Sequence, residues 1–371
     1  MVLTIWWREH SLTLREFLGL KLSERPPDHS TLPRTRRLMD VETHAEVFGW
    51  VLERLAESEL LKGKTIGIDA TTLEANAAMP SIVRRDSEES YEEFLIGLAK
   101  ASGIETPSRE DLARLDRRRK KKASNDDWKN PHDPGSRIIR MKAGRTHLAY
   151  KAEQAVDLET GAIGLVTVQG ADRGDTTTLV ETLIEAAENI ERALPGKEMK
   201  EVVADKGYHS TAVMKDFKEL GLRSYVSEPD RGKRKWKEDK EGRAATYAHR
   251  RRIRGKRGRK FLRQRGEQLE RPFAHLYRSG GLGRTEVRGN ENVLKRLLVH
   301  VGAFNLGLVM RKMTGAGTPR ALHARVLCAL LTLFGLRNAA GRTKDNGWRR
   351  AFPPPDGNSF PLKLSTFATG C

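Results

Sequence analysis

Three acids, Asp69, Asp205 and Glu270, stand where a metal-dependent phosphoryl-transfer site could be built. Breaking or joining a phosphodiester needs an activated oxygen nucleophile and a stabilised leaving oxygen. Two Mg2+ ions (or Mn2+) about 4 Å apart can provide both. Mg2+ is a hard cation that prefers carboxylate oxygens and water, so the protein need supply only a few Asp or Glu side chains. Those carboxylates must converge from separate segments at the edge of a rigid sheet. Lys64-Thr65-Ile66-Gly67-Ile68-Asp69 and Glu201-Val202-Val203-Ala204-Asp205 each read as a short buried strand ending in an acid, and Glu270 falls in a helical stretch, residues 261–277. The intervals of 136 and 65 residues mean that the fold, and no local motif, would have to assemble the site.

Each acid also has an ordinary alternative. Asp69, ahead of Ala70-Thr71-Thr72, suits a turn or a helix cap, and Asp205, ahead of Lys206-Gly207, suits a turn. Asp172 and Asp175 compete for the middle position. Asp175 precedes Thr176-Thr177-Thr178 and an amphipathic run, so it reads best as an N-cap, and Asp172 as a solvated loop acid. Glu267 competes with Glu270 within one helical turn. Pro272 disfavours helix at Arg271, which predicts a kink beside Glu270.

The elements that must position these acids can be read along the chain. Residues 1–62 read as helical, with capping boxes at Thr13-Leu14-Arg15-Glu16 and Thr43-His44-Ala45-Glu46 and a break at Arg25-Pro26-Pro27. Residues 80–142 are polar and read as an insertion. Residues 147–156 and 162–169 are strand-like and joined by Asp157-Leu158-Glu159-Thr160-Gly161, a hairpin signal. Residues 175–194 form an amphipathic helix, a further helix from Ser210 closes at Gly221, and residues 223–227 suggest a fifth strand. Helices follow at 261–277 and 292–312, and residues 313–371 are a poorly patterned tail. The order predicts a mixed α/β layer fold.

Composition narrows the partner. The formal net charge is +19, which favours a polyanion. Residues 231–265 hold 17 Lys or Arg against three acids, so most of the excess lies in a tenth of the chain. Within it, Arg250, Arg251, Arg252, Arg254, Lys256, Arg257 and Arg259 form a run whose glycines would let the backbone approach phosphates, with Arg263 just beyond. Trp236 and Tyr247 could stack on exposed bases. Arg34, Arg36 and Arg37 read as a solvated face. The two cysteines, Cys328 and Cys371, make no disulfide framework or zinc spacing and fit a reducing cytosol. The apolar run 326–336 is too short to span a bilayer, and the first residues do not read as a signal peptide, so no membrane role is expected.

Taken together, Ile68-Asp69-Ala70-Thr71, His147-Leu148-Ala149-Tyr150-Lys151, Val203-Ala204-Asp205-Lys206-Gly207-Tyr208 and Glu270-Arg271-Pro272-Phe273-Ala274-His275-Leu276 resemble the bacterial insertion-sequence transposases over roughly residues 10–312. The resemblance implies a ribonuclease-H-like mixed sheet flanked by helices. It implies a catalytic domain at 63–312 with the insertion, preceded by a helical, DNA-binding N-terminal region that starts later than in relatives. It makes Asp69, Asp205 and Glu270 the Asp-Asp-Glu triad that ligates two Mg2+ or Mn2+ ions, and so prefers Asp205 over Asp172 and Asp175. It further implies double-stranded DNA as substrate, with Lys206, Tyr208 and Arg263 orienting it, a homodimer on DNA, and a cytoplasmic, nucleoid-associated protein that cuts and joins an insertion sequence. Many relatives carry Tyr and Arg seven and four residues before the Glu and Lys seven after. Here these positions are Arg263, Gly266 and Tyr277, and Arg263, Arg265 or Arg278 would take the basic roles. Two competing expectations are a non-catalytic DNA-binding descendant of such an element and a ribonuclease-H-like nuclease without strand transfer.

Overall fold

The computed structural model describes residues 15–332 apart from 17–18, 26–27, 29, 120–122, 141–143, 231, 233–235, 237–238, 318–324, 327 and 331. The capping box expected at Thr13 and the Pro26-Pro27 break lie outside the described residues. Among the described residues, the helices α1 (Thr31–Leu38) and α2 (Val41–Glu57) lie ahead of the sheet in the chain. The expected cap at Thr43 moves to Asp40, whose carboxylate accepts from Thr43 N at 2.8 Å. A charged acceptor there satisfies a free N–H and also complements the positive end of the helix dipole.

Strand β1 (Thr65–Glu74) follows, then β2 (Val83–Arg84), α3 (Tyr91–Ala101), α4 (Arg109–Arg118), β3 (Trp128–Lys129) and β4 (Arg137–Arg140). The residues between β1 and β4 carry a small core of their own: Leu95, Ala99 and Leu112 pack together, and Trp128 meets the rings of Tyr91 and Phe94 edge to face. Next come β5 (Thr146–Asp157) and β6 (Ile163–Gly170), joined by the expected hairpin with Gly161 at φ +79°. The order then runs α5 (Asp175–Ala193), β7 (Glu201–Ala204), a 3-10 turn (Lys206–Tyr208), α6 (Thr211–Glu219), β8 (Arg223–Val226), α7 (Lys240–Arg254), α8 (Lys256–Ser279) and α9 (Asn290–Thr314).

The sheet order is β4-β5-β1-β7-β8, with β6 also paired to β5. β5 runs antiparallel to β1, β4 and β6, whereas β1, β7 and β8 are mutually parallel. This mixed sheet flanked by helices is the α/β arrangement expected of a ribonuclease-H-like core. Alternation along the strands sends side chains to two cores. Ile66, Ile68, Val202 and Ala204 pack on α5 and α6 through Leu179, Leu183, Val213 and Phe217. Leu73, Val156, Val203 and Tyr225 face Phe261, Leu269 and Leu276 of α8, with Val293, Leu297 and Val301 of α9 and Phe48, Leu52 and Leu55 of α2 beyond them.

Four expectations change. β1 does not end at Asp69. Its pairing with β5 continues to Glu74 opposite Ala149, so the acid sits in mid-strand. The basic run is helical, forming α7 and the start of α8, with Gly255 as the break between them. Gly258 serves close packing and no phosphate: a Cβ there would lie 2.4 Å from the Arg252 carbonyl oxygen. Finally, α8 continues through Pro272 without ending, since burial of Leu269 and Leu276 anchors the helix on both sides of it. Among the described residues, α9 is long and apolar enough to cross a membrane by length and composition, and its Val293, Leu297 and Val301 are buried in the α8-side core.

Candidate active site

Asp69 and Asp205 meet because β1 and β7 lie side by side in parallel, with Ile68 opposite Ala204. Each acid follows a residue that points to the α5 face, so both carboxylates emerge on the face covered by α8. Arg265 of α8 reaches between them. Its guanidinium nitrogens lie 4.0 Å from Asp69 Oδ2 and 3.6 Å from Asp205 Oδ1. Opposite Asp69 on β5 stands Gln154, which is fully buried and donates through Nε2 to the Leu269 carbonyl at 3.3 Å, tying α8 to the sheet one residue before Glu270.

The electrostatics mark Asp69 as the tense member. Burial pushes its carboxyl up to about 6, and the like charges of Asp205 and Glu270 push the same way; the Ala70 N–H and Arg265 oppose the rise. Glu270 therefore faces the site electrostatically, but its side chain is exposed. Among the described residues, no three His, Cys, Asp or Glu side chains are gathered closely enough to hold a metal ion. Thus the fold brings Asp69 and Asp205 together and leaves Glu270 at the rim.

The donor chemistry suits a hard divalent cation: two neighbouring carboxylates share one arginine at long range, and among the described residues the buried Oε1 of Gln154 beside them has no hydrogen-bond partner. That orphaned oxygen is what a water or a hydrated ion in this gap would satisfy.

The competing acids are placed elsewhere. Asp175 is not the N-cap of α5; that position is Gly174, and Asp175 binds the nearly buried Lys151 at 2.7 Å. Asp172 pairs with Arg137 at 3.5 Å. Among the expected DNA contacts, Lys206 is exposed, but Tyr208 is turned inward, 1% exposed, with its hydroxyl on Glu153 at 2.7 Å. A buried ring cannot reach DNA, so that expectation is corrected. In the basic run, Arg250 forks onto Glu228 at 2.6 and 2.8 Å, Arg252 donates to Ser224 Oγ at 3.1 Å and Arg257 binds buried Glu201 at 2.7 Å. Arg251, Arg254, Lys256, Arg259 and Arg263 are exposed and have no acidic partner among the described residues. Tyr247 is half-exposed, with Trp236 6.1 Å away and the Arg243 and Arg250 guanidinium groups over its ring.

The roles of Lys151, Glu153 and Gln154 were not foreseen from the sequence, although a signal was present. β5 carries Lys, Glu, Gln and Asp among its apolar residues, and every residue from 148 to 157 is buried. Charges inside a buried strand need partners, and partners mark a site.

No curated protein and no solved structure matches the chain. A family model for the transposase DDE domain matches residues 104–306, more than half of the chain, a span that includes Asp205 and Glu270 and begins after Asp69. With the mixed sheet and the adjoining carboxylates of β1 and β7, that match assigns the family: the chain belongs to the proteins built on a transposase DDE domain.

Proposed function

We propose that this chain is an insertion-sequence transposase that cuts DNA at the ends of its element and joins the freed 3′ ends to target DNA. The observation that carries the reading is the pair Asp69 and Asp205, side by side under α8 in a chain of this family. Asp69 and Asp205 would hold divalent ions jointly, with Glu270 closing the set from α8. When bound, two such ions activate the attacking oxygen and stabilise the leaving one. The protein's own part is to present the carboxylates on a rigid sheet, to hold the duplex by exposed cations and to keep Arg265 beside the reacting phosphate once it leaves the acids. Residues 63–312 would act as the catalytic unit, with residues 80–142 inserted in it and the N-terminal helices contacting DNA. Mg2+ or Mn2+ would serve, and two copies would pair the two ends of the element.

The test uses the full chain, a plasmid carrying its gene with the flanking DNA, and Mg2+. Cuts at short inverted repeats, a joined product from pre-cleaved ends, and loss of both in EDTA are expected. Cuts without joining would leave a nuclease, and no metal-dependent cut at any flanking sequence would overturn the reading.

The two classes of arginine give a second expected result. A cation that meets a phosphate releases a counterion, so replacing Arg251, Arg254 and Arg259 with Gln should lower the slope of log K against log salt by about 0.9 for each phosphate left without its cation. Arg250→Gln should leave that slope nearly unchanged and instead remove the two-pronged ion pair with Glu228, which a thermal melt would read. Fluorescence anisotropy on duplex DNA at several salt concentrations separates the two. An unchanged slope in the triple variant would place the DNA on another face.

A further inference from the structure

We propose that Tyr208, Glu153 and Lys151 form a buried clamp that sets where the Asp205 carboxylate stands, and so tunes the affinity of the site for divalent cations. The inference rests on the reading of Asp205 as a metal ligand.

Asp205 leaves β7 and enters the 3-10 turn Lys206–Tyr208, which closes with Tyr208 N donating to the Asp205 carbonyl at 3.1 Å. Where Tyr208 is held, Asp205 follows. Tyr208 lies under the sheet on the α5 side, and its hydroxyl donates to Glu153 Oε1 at 2.7 Å. Glu153 is fully buried and accepts two more hydroxyls from α5, that of Thr178 at 3.0 Å and that of Thr182. Lys151, two residues earlier on the same face of β5, lies 3.2 Å from Glu153 Oε1 and 2.7 Å from Asp175 Oδ1, and donates to Thr178 Oγ1 at 2.9 Å. Burial, then the Glu153 charge, pushes the Tyr208 hydroxyl well above its ordinary range, so it remains a donor.

A second contact holds the same turn. A Cβ on Gly207 would come within 2.6 Å of Asp175 Oδ2, so the turn presses directly on the first turn of α5. The other acid is tied in as well, because Glu153 pairs in register with Ala70, the neighbour of Asp69. The strand bearing one metal-binding acid therefore pairs through its backbone with the residue whose carboxylate holds the turn bearing the other. A buried Lys–Glu pair, here with Asp175 at its more exposed edge, adds little stability over apolar packing of the same volume. What it supplies is fixed geometry: a hydrogen-bonded network in a low-dielectric interior has one arrangement that satisfies every member. Groups behind metal ligands act in this way, orienting the ligand and setting affinity. Tyr208, Glu153 and Lys151 are thus positioning residues.

The test compares wild type, Tyr208→Phe and Asp205→Asn as full chains. Mn2+ binding is read from the electron paramagnetic resonance signal of free Mn2+, alongside thermal melting in EDTA. Tyr208→Phe removes one hydroxyl and no ring volume. It should weaken Mn2+ binding by about 10-fold or more, and saturating Mn2+ should restore its cleavage, whereas Asp205→Asn stays inactive at any Mn2+ concentration. Thr182→Val, which takes a second hydroxyl from Glu153, should shift Mn2+ binding in the same direction and keeps the test available if Tyr208→Phe does not fold. The clamp is overturned if both variants bind Mn2+ like wild type while Asp205→Asn does not. It is equally overturned if cleavage by Tyr208→Phe stays absent at saturating Mn2+. If Asp205→Asn itself binds Mn2+ like wild type, the metal reading of the site fails and the clamp with it.

Discussion

Replacing Asp69 with Asn should abolish cleavage and, in metal-free buffer, make the protein more stable. The two effects have one cause. Burial above all, and then the charges of Asp205 and Glu270, raise the Asp69 carboxyl to about 6 from 3.8. Below pH 3.8 the group is protonated in both the folded and the unfolded chain, and no penalty exists. Between 3.8 and 6 the unfolded chain gives up the proton first, so stability falls as pH rises. Above about 6 the whole penalty is present, about 3 kcal/mol, because each pH unit between the two values is worth about 1.36 kcal/mol. Asn cannot ionise and removes it. In EDTA at pH 7.5 the variant should melt several degrees above wild type, and at pH 4 the two melts should nearly coincide. Mg2+ should narrow the gap at pH 7.5, because a ligand of the folded wild type stabilises it by mass action. Cleavage should fall by more than about 100-fold, beyond what losing a group behind the ligands costs. A variant that melts below wild type at pH 7.5 in EDTA, or that still cuts DNA, would remove Asp69 from the site.

A carboxylate kept in a place where its own charge is unwelcome is the physical form of the site, and the sequence announced only part of it. The apolar runs before Asp69 and Asp205 were legible because a parallel strand buried on both faces is written as consecutive Ile, Val and Ala. The hairpin at Gly161 and the helix from Ser210 were legible from local signals as well. Register was not. Nothing in residues 64–69 tells that β1 runs on to Glu74, because that extension is set by its pairing with β5, some 80 residues further along the chain. Helix α7 was hidden by its charge: Ala245, Thr246 and His249 make a buried stripe, but the arginines around them dominate any reading of the segment. Tyr208 looked like a residue for DNA because it closes the motif Val203–Tyr208, to which the family resemblance lends a DNA-orienting role. Its inward turn depends on Glu153, which lies 55 residues away and is reached only through the sheet. Asp175 looked like a cap because its local sequence is that of a cap. Its partner Lys151 is distant in the chain, and tertiary pairing prevailed over the local pattern.

Gly67 carries the second large expected effect, and it shows how little room the site has. This glycine lies on β1 two residues before Asp69, on the face covered by α8. A Cβ there would stand 2.4 Å from Leu269 Cδ1 and 2.9 Å from Leu158 Cδ2, and both leucines are buried at 0% and 1% exposure, with nowhere to withdraw. The strand thus has no side chain at the point where α8 presses closest. Gly67→Val must lift α8 from the sheet or force both leucines off their rotamers, at a cost of about 1–3 kcal/mol. The lift acts where function is concentrated, because Leu269 precedes Glu270 and Arg265 spans Asp69 and Asp205 one turn earlier. Cleavage should therefore fall further than the stability loss alone explains, and excess Mn2+ should not restore it, unlike the loss in Tyr208→Phe. Gly97→Ala in α3 supplies the contrast: nothing lies within 4 Å of a Cβ there, and the change should add up to about 1 kcal/mol by favouring helix. Urea melts and nicking assays on the two variants read both quantities. If Gly67→Val matched wild type in stability and cleavage, α8 would not be seated on β1 at this glycine, and the placing of Arg265 between the two aspartates would have to come from another part of the fold.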